Sequence, residues 1–299
     1  MGHLAATHSE LLVREVMAVL DRNEADMAAF RRLKAETPAF RFATRLPKYL
    51  SRDPFLDLRP HFSMGLTGGY EEALRGLSPR HRRQLRQVAK HILADHLGEV
   101  QVRCFRAAGE LEIMFCDVDE IARKTGQRAR GSGFMATQRM RQNLELAARM
   151  GRLRTDVLYI AGKPCAYHLG SLYRGVFYSH LMGCDPEYSR YFPETFLLVR
   201  TLEDLCRENV KKCDFGTGGE EYKTRLGNCH WQDGDVYLFA GGLLGMSLRT
   251  LRMMTRMAAG LGKWSLGVTG MTPRLKRAWR KQHAQDSSSS ARSRAGRGH

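Results

Sequence analysis

The order of predicted secondary-structure elements is the feature that most constrains the fold. After a basic helix that begins near residue 78, the pattern up to residue 240 reads β-α-α-β-β-β-α-β-α-β. The three consecutive strands in the middle are joined at Gly162 and Gly175, and short Gly-containing connections are typical of antiparallel hairpins. Because amphipathic helices flank these strands, we predict an α+β fold: a mixed sheet with a central antiparallel meander.

The regions on either side of this pattern are organised differently. Apolar spacing predicts one helix over about residues 8–35, and prolines and paired glycines predict a mostly irregular segment over 40–76. Another amphipathic helix, at 241–264, has arginines on one side and leucines and methionines on the other. We therefore divide the chain into an N-terminal segment (1–77), a central domain (78–240), basic C-terminal helices (241–282) and a Ser/Arg/Gly-rich tail (283–299) that we expect to be disordered.

The chain is strongly basic. Its 299 residues include 48 Lys and Arg against 31 Asp and Glu, a net charge of +17. Basic clusters lie at Ser78–His91 and beyond Pro273. Such clusters bind nucleic acid, anionic lipid or acidic substrates, or they are simply solvated surface, and the lack of base-reading motifs favours the last of these. The helix at 241–264 likewise has two interpretations: packing through its apolar side with the basic side in water, or lying on an anionic membrane.

Several classes of protein are disfavoured. The sequence has no apolar run of about 18 residues and no secretory leader pattern, so we expect a cytoplasmic protein, peripheral to the inner face of the membrane at most. Seven cysteines without a CxxC pair suit a reducing compartment. We also expect no metal, since metal-ligand spacings are absent, and the lack of GxSxG and P-loop patterns argues against esterases and NTPases.

The segment Asp214–Gly227, DFGTGGEEYKTRLG, holds the densest set of reactive residues. Its glycines follow a predicted strand and precede a predicted helix, where backbone amides can approach an anion closely. A base, an acid and a cation for a developing oxyanion are all available at this junction. The alternative is a glycine turn with a charged helix cap. The candidate residues are Asp214, Gly216, Gly218, Glu220, Glu221, Tyr222, Lys223 and Arg225.

Four stretches resemble the bacterial BioF-like group of GNAT acetyltransferases, which includes the CelD-type proteins of cellulose biosynthesis. These stretches are LSPRHRRQLR, AGKPCAYHLGSLYRGVFYSHLMGCDPEY, YFPETFLL and DFGTGGEEYKTRLG. The order of elements also resembles the GNAT fold, and the similarity spans roughly residues 50–240. The last stretch is the most specific, because the signature of the group is a DFG-like strand end, one or two acids and then Tyr-Lys.

The resemblance implies an N- or O-acyltransferase that moves an acetyl or other acyl group from acyl-CoA. The implied acceptor is an amine or hydroxyl of a sugar, a polysaccharide precursor or a small metabolite. Within the Tyr222-Lys223 pair, Lys223 is expected to stabilise oxyanion charge or grip a phosphate, with Asp214, Glu220 or Glu221 as the base. The residues expected to bind substrate are Tyr178, His180, Asp185, Tyr188, Gly216, Gly218 and Arg225.

GNAT enzymes hold the CoA pyrophosphate on amides between their fourth strand and the next helix, which the resemblance places at Cys184–Thr195. The expected CoA contacts are therefore Arg190, Pro193, Glu194 and Thr195. The usual glycine-rich loop is missing there, which removes close backbone approach. Glu194 also adds a negative charge where a phosphate would sit, and Arg190 offsets it in part.

Two alternatives come from different classes of protein. Fem-type peptidyl transferases are similar in fold and use aminoacyl-tRNA, and the positive charge suits tRNA binding. They usually carry two GNAT lobes, whereas residues 1–77 are too short for a whole first lobe, so this chain would be an abbreviated version. The other alternative is a non-catalytic protein that kept a GNAT shell and lies on a membrane through 241–264.

Overall fold

The computed structural model describes residues 5–125, 133–218 and 221–268, without the side chains of 221 and 260–268. The chain forms two compact units. One consists of Arg59–Asp233, and the other combines Met1–Leu58 with Gly234–His299. The sequence-based division places the central domain at 78–240 instead.

The larger unit is built on a mixed sheet. Its strands lie in the order β2-β7-β6-β5-β4-β3, namely β2 (Asp57–Gly65), β3 (Val100–Phe105), β4 (Leu153–Ile160), β5 (Lys163–Tyr173), β6 (Val176–Cys184) and β7 (Lys212–Thr217). Strands β3 to β6 pair antiparallel in succession, β6 pairs with β7 in parallel, and β2 pairs antiparallel with β7. The prediction of an α+β fold with a central antiparallel meander is confirmed.

Helices cover both faces of this sheet. They are α3 (Tyr70–Arg75), α4 (Pro79–Asp95), α5 (Leu111–Lys124), α6 (Gln138–Arg149), α7 (Pro193–Arg207) and α8 (Glu221–Leu226). Helices α5 and α6 pack with Tyr167 of β5 in one hydrophobic cluster. Helix α7 packs in two others, with Phe177 of β6 and with Val88 and Ile92 of α4. The start of α4 is as predicted, because Ser78 Oγ accepts the His81 N–H at 3.3 Å.

The smaller unit contains both ends of the described chain. It holds α1 (Ala6–Asp21), β1 (Met27–Lys34), α2 (Pro38–Arg45) and α9 (Leu243–Val268), with β1 beside β8 (Cys229–Phe239). No helix in the described ranges is both long and apolar enough to cross a membrane. The predicted disordered tail at 283–299 and the second part of the predicted C-terminal helices lie outside the described residues.

Two predictions for the N-terminal region are wrong. The single helix over 8–35 ends at Asp21, because Asn23 takes a left-handed conformation (φ 56°) and Glu24 N–H bonds back to Val19 at 3.1 Å, as at a helix C-terminus. Strand β1 follows. The segment 40–76 is largely regular and holds most of α2 together with β2 and α3. Pro38 begins α2 at the position where no N–H is needed.

One of the two interpretations of the helix at 241–264, now α9, placed its basic side in water. The structure differs from that interpretation. Arg252 Nε contacts the Asp53 carboxylate at 2.5 Å, and Arg256 contacts Asp57 at 3.1 Å. The arginines therefore pack against their own unit and are not left in water. The interpretation in which α9 packs through its apolar side is therefore wrong.

Candidate functional site

Strands β6 and β7 part after a short parallel pairing. The pairing joins Val176–Tyr178 to Lys212–Asp214, while β6 runs on to Cys184 and β7 to Thr217. In sheets with parallel strands, ligands bind beyond the carboxyl ends of strands, at the point where neighbouring strands diverge. We therefore place the candidate site at the carboxyl end of β7.

Asp214, on β7, is held by two donors. His61 Nε2 donates to Asp214 Oδ1 at 2.6 Å, and the Gly216 N–H donates to the same oxygen at 2.8 Å. The other ring nitrogen of His61, Nδ1, lies 2.5 Å from Asp233 Oδ2. Since both acceptors are carboxylate oxygens, both ring nitrogens must carry protons, and His61 is an imidazolium.

Trp231 completes this cluster. Its ring stacks on His61 with 4.3 Å between centroids, and its Nε1 donates to Asp233 Oδ1 at 2.6 Å. Lys212 Nζ lies 4.4 Å from the centre of the Trp231 ring, within the range of a cation–π contact. Four side chains from two strands, β7 and β8, thus surround the imidazolium of His61 on β2.

The charges of this cluster set its pKa values. Burial alone would lower the pKa of His61, but the hydrogen bonds and charges of Asp214 and Asp233 outweigh it and raise the pKa to about 9. Burial would raise the pKa of Asp214, but His61 and the Gly216 amide hold it below its ordinary value. A carboxylate with a lowered pKa is a weak base near neutral pH. The geometry thus favours a positioning role for Asp214 over the predicted role of base.

The free energy of unfolding should fall as the pH rises above the ordinary pKa of histidine, because the unfolded chain then gives up the proton that the folded His61 keeps. His61 binds its proton more tightly in the folded state, so its contribution is complete below pH 6.5 and is lost as the pH approaches about 9. We expect a loss on the order of 3 kcal/mol. Urea unfolding between pH 6 and pH 9.5 measures it. His61→Asn should flatten the pH dependence, whereas the same change at exposed His230 should leave it intact. An equal slope in both variants would contradict the assignment.

Sequence reasoning missed His61, Trp231 and Asp233. His61 stands 153 residues from Asp214 and 172 from Asp233, and it lies in the segment that we predicted to be irregular. A single histidine in such a segment carries no local signal. The alternation of apolar and polar residues in Phe62–Gly65, FSMG, is the one hint of a strand there.

Lys223 and Tyr222, the predicted motif, contact each other, since Lys223 Nζ lies 5.8 Å from the centre of the Tyr222 ring. The Lys223 side chain is buried (8% exposed), and its Nζ donates to the carbonyl of Thr217, the last residue of β7, at 3.0 Å. The Tyr222 ring packs on the core edge-on to Phe215, with 6.1 Å between centroids. The structure therefore places the lysine at the end of β7 and the tyrosine ring against the core.

The rest of the predicted loop is partly visible. Gly216 (φ 74°) gives its amide to Asp214, and Gly218 (φ 135°) gives its amide to the carbonyl of Pro60 at 3.4 Å. Both amides are thus engaged within the chain. Glu220 lies outside the described residues, and so does the side chain of Glu221, the first residue of α8.

Arg225, on α8, is exposed and lies close to the start of α4. The pKa of His81 is lowered by burial and then by the positive charge of Arg225. Helix α4 therefore begins close to Arg225. It presents the exposed side chains of Arg80, Arg83, Arg86 and Lys90.

The predicted residues on β6 and after it separate into two groups. Tyr178 lies opposite Asp214 in the strand register, and burial and the Asp214 charge raise its pKa. His180 is exposed and hydrogen-bonds Ser171 at 2.8 Å. Asp185, by contrast, is buried.

The Asp185 carboxylate is engaged by neighbouring groups of the protein. Its carboxylate accepts the Glu187 N–H at 3.1 Å, which caps the 3-10 turn Pro186–Tyr191, and it contacts Lys124 Nζ at 2.7 Å. Tyr188 packs at the edge of a hydrophobic cluster, and burial raises its pKa. Asp185 and Tyr188 therefore stabilise the loop between β6 and α7.

The start of α7 does not fit a pyrophosphate. Phe192 precedes it in a left-handed conformation (φ 51°), Pro193 has no N–H, and the Thr195 N–H bonds to the Phe192 carbonyl at 3.0 Å. Burial raises the pKa of Glu194, whose carboxyl also hydrogen-bonds Cys184. The Arg190 guanidinium donates to the Tyr191 hydroxyl at 2.5 Å. The predicted CoA residues therefore form no row of free amides.

Within the described part of the chain, no group of three or more His, Cys, Asp and Glu side chains could hold a metal ion. In the cluster around His61, the protonated imidazole ring lies between the two carboxylates.

Comparison with known proteins supports the fold. Residues 79–224 match the family model described as an acetyltransferase (GNAT) domain. A search of curated proteins finds no match to the chain. Among solved structures, the crystal structure of FemX has a TM-score of 0.58 at 12% identity and covers 83% of this chain and 80% of its own.

Two further solved structures are similar. The C-terminal domain (DUF2156) of a putative lysylphosphatidylglycerol synthetase from Agrobacterium fabrum gives a TM-score of 0.54 at 12% identity, covering 80% of this chain and 75% of its own. L-PGS from Bacillus licheniformis gives 0.52 at 10% identity, covering 83% and 78%. At these identities the likeness shows the GNAT fold.

Proposed function

We propose that the protein is an acyltransferase that takes an aminoacyl group from the ester of an aminoacyl-tRNA and delivers it to an amine or hydroxyl acceptor. The observation that carries this proposal is the start of α7, where Pro193, Glu194 and the engaged Thr195 amide leave no cradle for the pyrophosphate of CoA. The likeness to FemX and to the lysylphosphatidylglycerol synthetase supports an aminoacyl group as the group transferred.

The basic face of α4 supports a polyanionic donor. Arg80, Arg83, Arg86 and Lys90 are exposed on this helix, whose first turn lies close to Arg225 of α8. A tRNA presents a long row of phosphates, and neutralising several of them supplies most of the binding free energy. The acceptor end would then reach the end of β7.

Lys223 has the place and the charge to assist the transfer. When the acceptor attacks the ester carbonyl, the new C–N or C–O bond forms, the carbonyl oxygen becomes negative, and the bond to the ribose oxygen then breaks. The proton lost by the acceptor balances the one gained by the ribose hydroxyl. A fixed ammonium beside Thr217 stabilises the oxyanion, and Tyr178, kept protonated by its raised pKa, can donate a hydrogen bond.

A second candidate is an acyl-CoA-dependent acetyltransferase. The match of residues 79–224 to an acetyltransferase model favours it, since GNAT domains generally use acyl-CoA. The BioF-like grouping and a sugar acceptor rest on the resemblance of the four sequence stretches alone. In this version the donor would have to bind without the usual pyrophosphate contacts.

Parallel binding measurements separate the two donors. We expect total aminoacyl-tRNA to bind with a micromolar Kd that weakens steeply with salt in filter binding, and acetyl-CoA to give no heat in calorimetry with wild type or Glu194→Gln. Replacing Arg80 and Arg83 by Gln should reduce the salt slope by about 1 for each lost phosphate contact. Arg149→Gln, on α6 and paired with Glu145, is the matched control. Micromolar binding of acetyl-CoA to wild type would contradict the proposal.

A further inference from the structure

The outer face of α9 is apolar and exposed. Its large apolar side chains are 38% to 91% exposed and fall on one side of the helix: Leu243, Leu244, Leu248, Leu251, Met254 and Met257. A contiguous exposed apolar surface of this kind marks an interaction site. The helix therefore presents to its surroundings the face that a buried helix would hide.

The opposite face is fastened to the unit that carries the helix. Arg252 contacts Asp53 at 2.5 Å and lies 3.5 Å above the Tyr237 ring, and Arg249 donates to the carbonyl of Arg52 at 3.0 Å. These contacts fix the rotation of α9 about its own axis. The exposure of the apolar face is thus a consequence of named ion pairs and ring contacts.

The charge of this region identifies the partner. Beyond the arginines that α9 uses for these contacts, the sequence from Lys263 to Lys281 has six more Lys and Arg residues and no Asp or Glu. A nucleic acid would attract these charges but would offer no apolar contact to the leucines, and a plain apolar protein groove would leave the charges uncompensated. An anionic membrane supplies both, since apolar side chains enter the boundary between headgroups and acyl chains while cations are attracted to the surface.

We propose that α9 docks the protein on an anionic lipid membrane, with its axis along the surface and its outer face among the headgroups. The docking surface consists of the six exposed apolar side chains, and the positive charge of 263–281 strengthens the attraction. The surface is independent of the donor used in the transfer.

Vesicle co-sedimentation of the full chain tests the proposal. We expect binding to vesicles of phosphatidylcholine with 30% phosphatidylglycerol and at least ten-fold weaker binding to phosphatidylcholine alone. The double variant Leu251→Ser, Met254→Ser should weaken binding to the anionic vesicles about ten-fold or more, because two side chains at the centre of the face no longer enter the membrane. Both side chains are exposed, so the fold is expected to survive, and far-UV circular dichroism checks it.

The matched control replaces two exposed leucines elsewhere. Leu97 and Leu146, 87% and 58% exposed in the larger unit, are changed to Ser, and binding should stay within two-fold of wild type. Equal binding by wild type and the α9 variant would overturn the proposal, because the basic sequence alone would then suffice. It would also be overturned if neither protein sedimented with anionic vesicles, or if light scattering showed a dimer that the α9 variant abolished, since a second copy would then cover the face.

Discussion

Replacing Lys223 by methionine is expected to lower turnover about 10²- to 10³-fold, the usual loss when one fixed oxyanion donor is removed. Methionine keeps the length and the apolar stem of the side chain but not the ammonium that lies 3.0 Å from the Thr217 carbonyl. Donor binding should change little, because the phosphates are expected to contact α4. The measurement is single-turnover transfer from aminoacyl-tRNA to an added amine or hydroxyl at saturating donor.

A structural role for Lys223 predicts a different pattern. Lys223 is buried, so a loss of fold would also lower activity, and urea unfolding of the variant must accompany the kinetics. Lys223→Arg keeps the charge and should recover part of the rate. Arg225→Met removes an exposed cation from the same short helix and should raise KM with kcat little changed. Full turnover in a folded Lys223→Met protein would exclude the proposed role.

The sequence was informative where a signal is local. Ser78-Pro79 predicts the start of α4, and the glycine turns at 162 and 175 predict the hairpins of the meander, because caps and turns depend on a few neighbouring residues. Lys223 was singled out in the same way, from a dense motif after a strand. Its position at the end of β7 agrees with that motif.

The residues that were missed depend on contacts between distant parts of the chain. His61 acquires its raised pKa from two carboxylates on other strands, and nothing near it in the sequence indicates either partner. The orientation of α9 about its own axis likewise depends on contacts between distant parts of the chain. Helical periodicity shows that the helix has a basic and an apolar side, but the choice of the packed side is made by Asp53 and Asp57, which lie about 200 residues away.

Breaking the buried ion network of β4 should be the most destabilising single change in the larger unit. Arg154 is 1% exposed, and its guanidinium contacts Asp156 at 3.0 Å on the same strand and Glu208, just after α7, at 2.6 Å. Asp156 also accepts the Thr201 hydroxyl at 2.8 Å. The network therefore ties the middle of the sheet to the end of the helix that covers it.

Arg154→Met leaves the Asp156 carboxylate buried without its cation, and we expect the free energy of unfolding to fall by about 3–5 kcal/mol. Urea unfolding followed by circular dichroism measures it. The double variant Arg154→Met, Asp156→Leu should recover most of the loss, because a buried ion pair replaced on both sides is often neutral. Arg149→Met, which breaks an exposed pair with Glu145, should cost less than about 1 kcal/mol. A similar small cost for Arg154→Met would mean that water or chain movement solvates Asp156, and that the network does not hold α7 on the sheet.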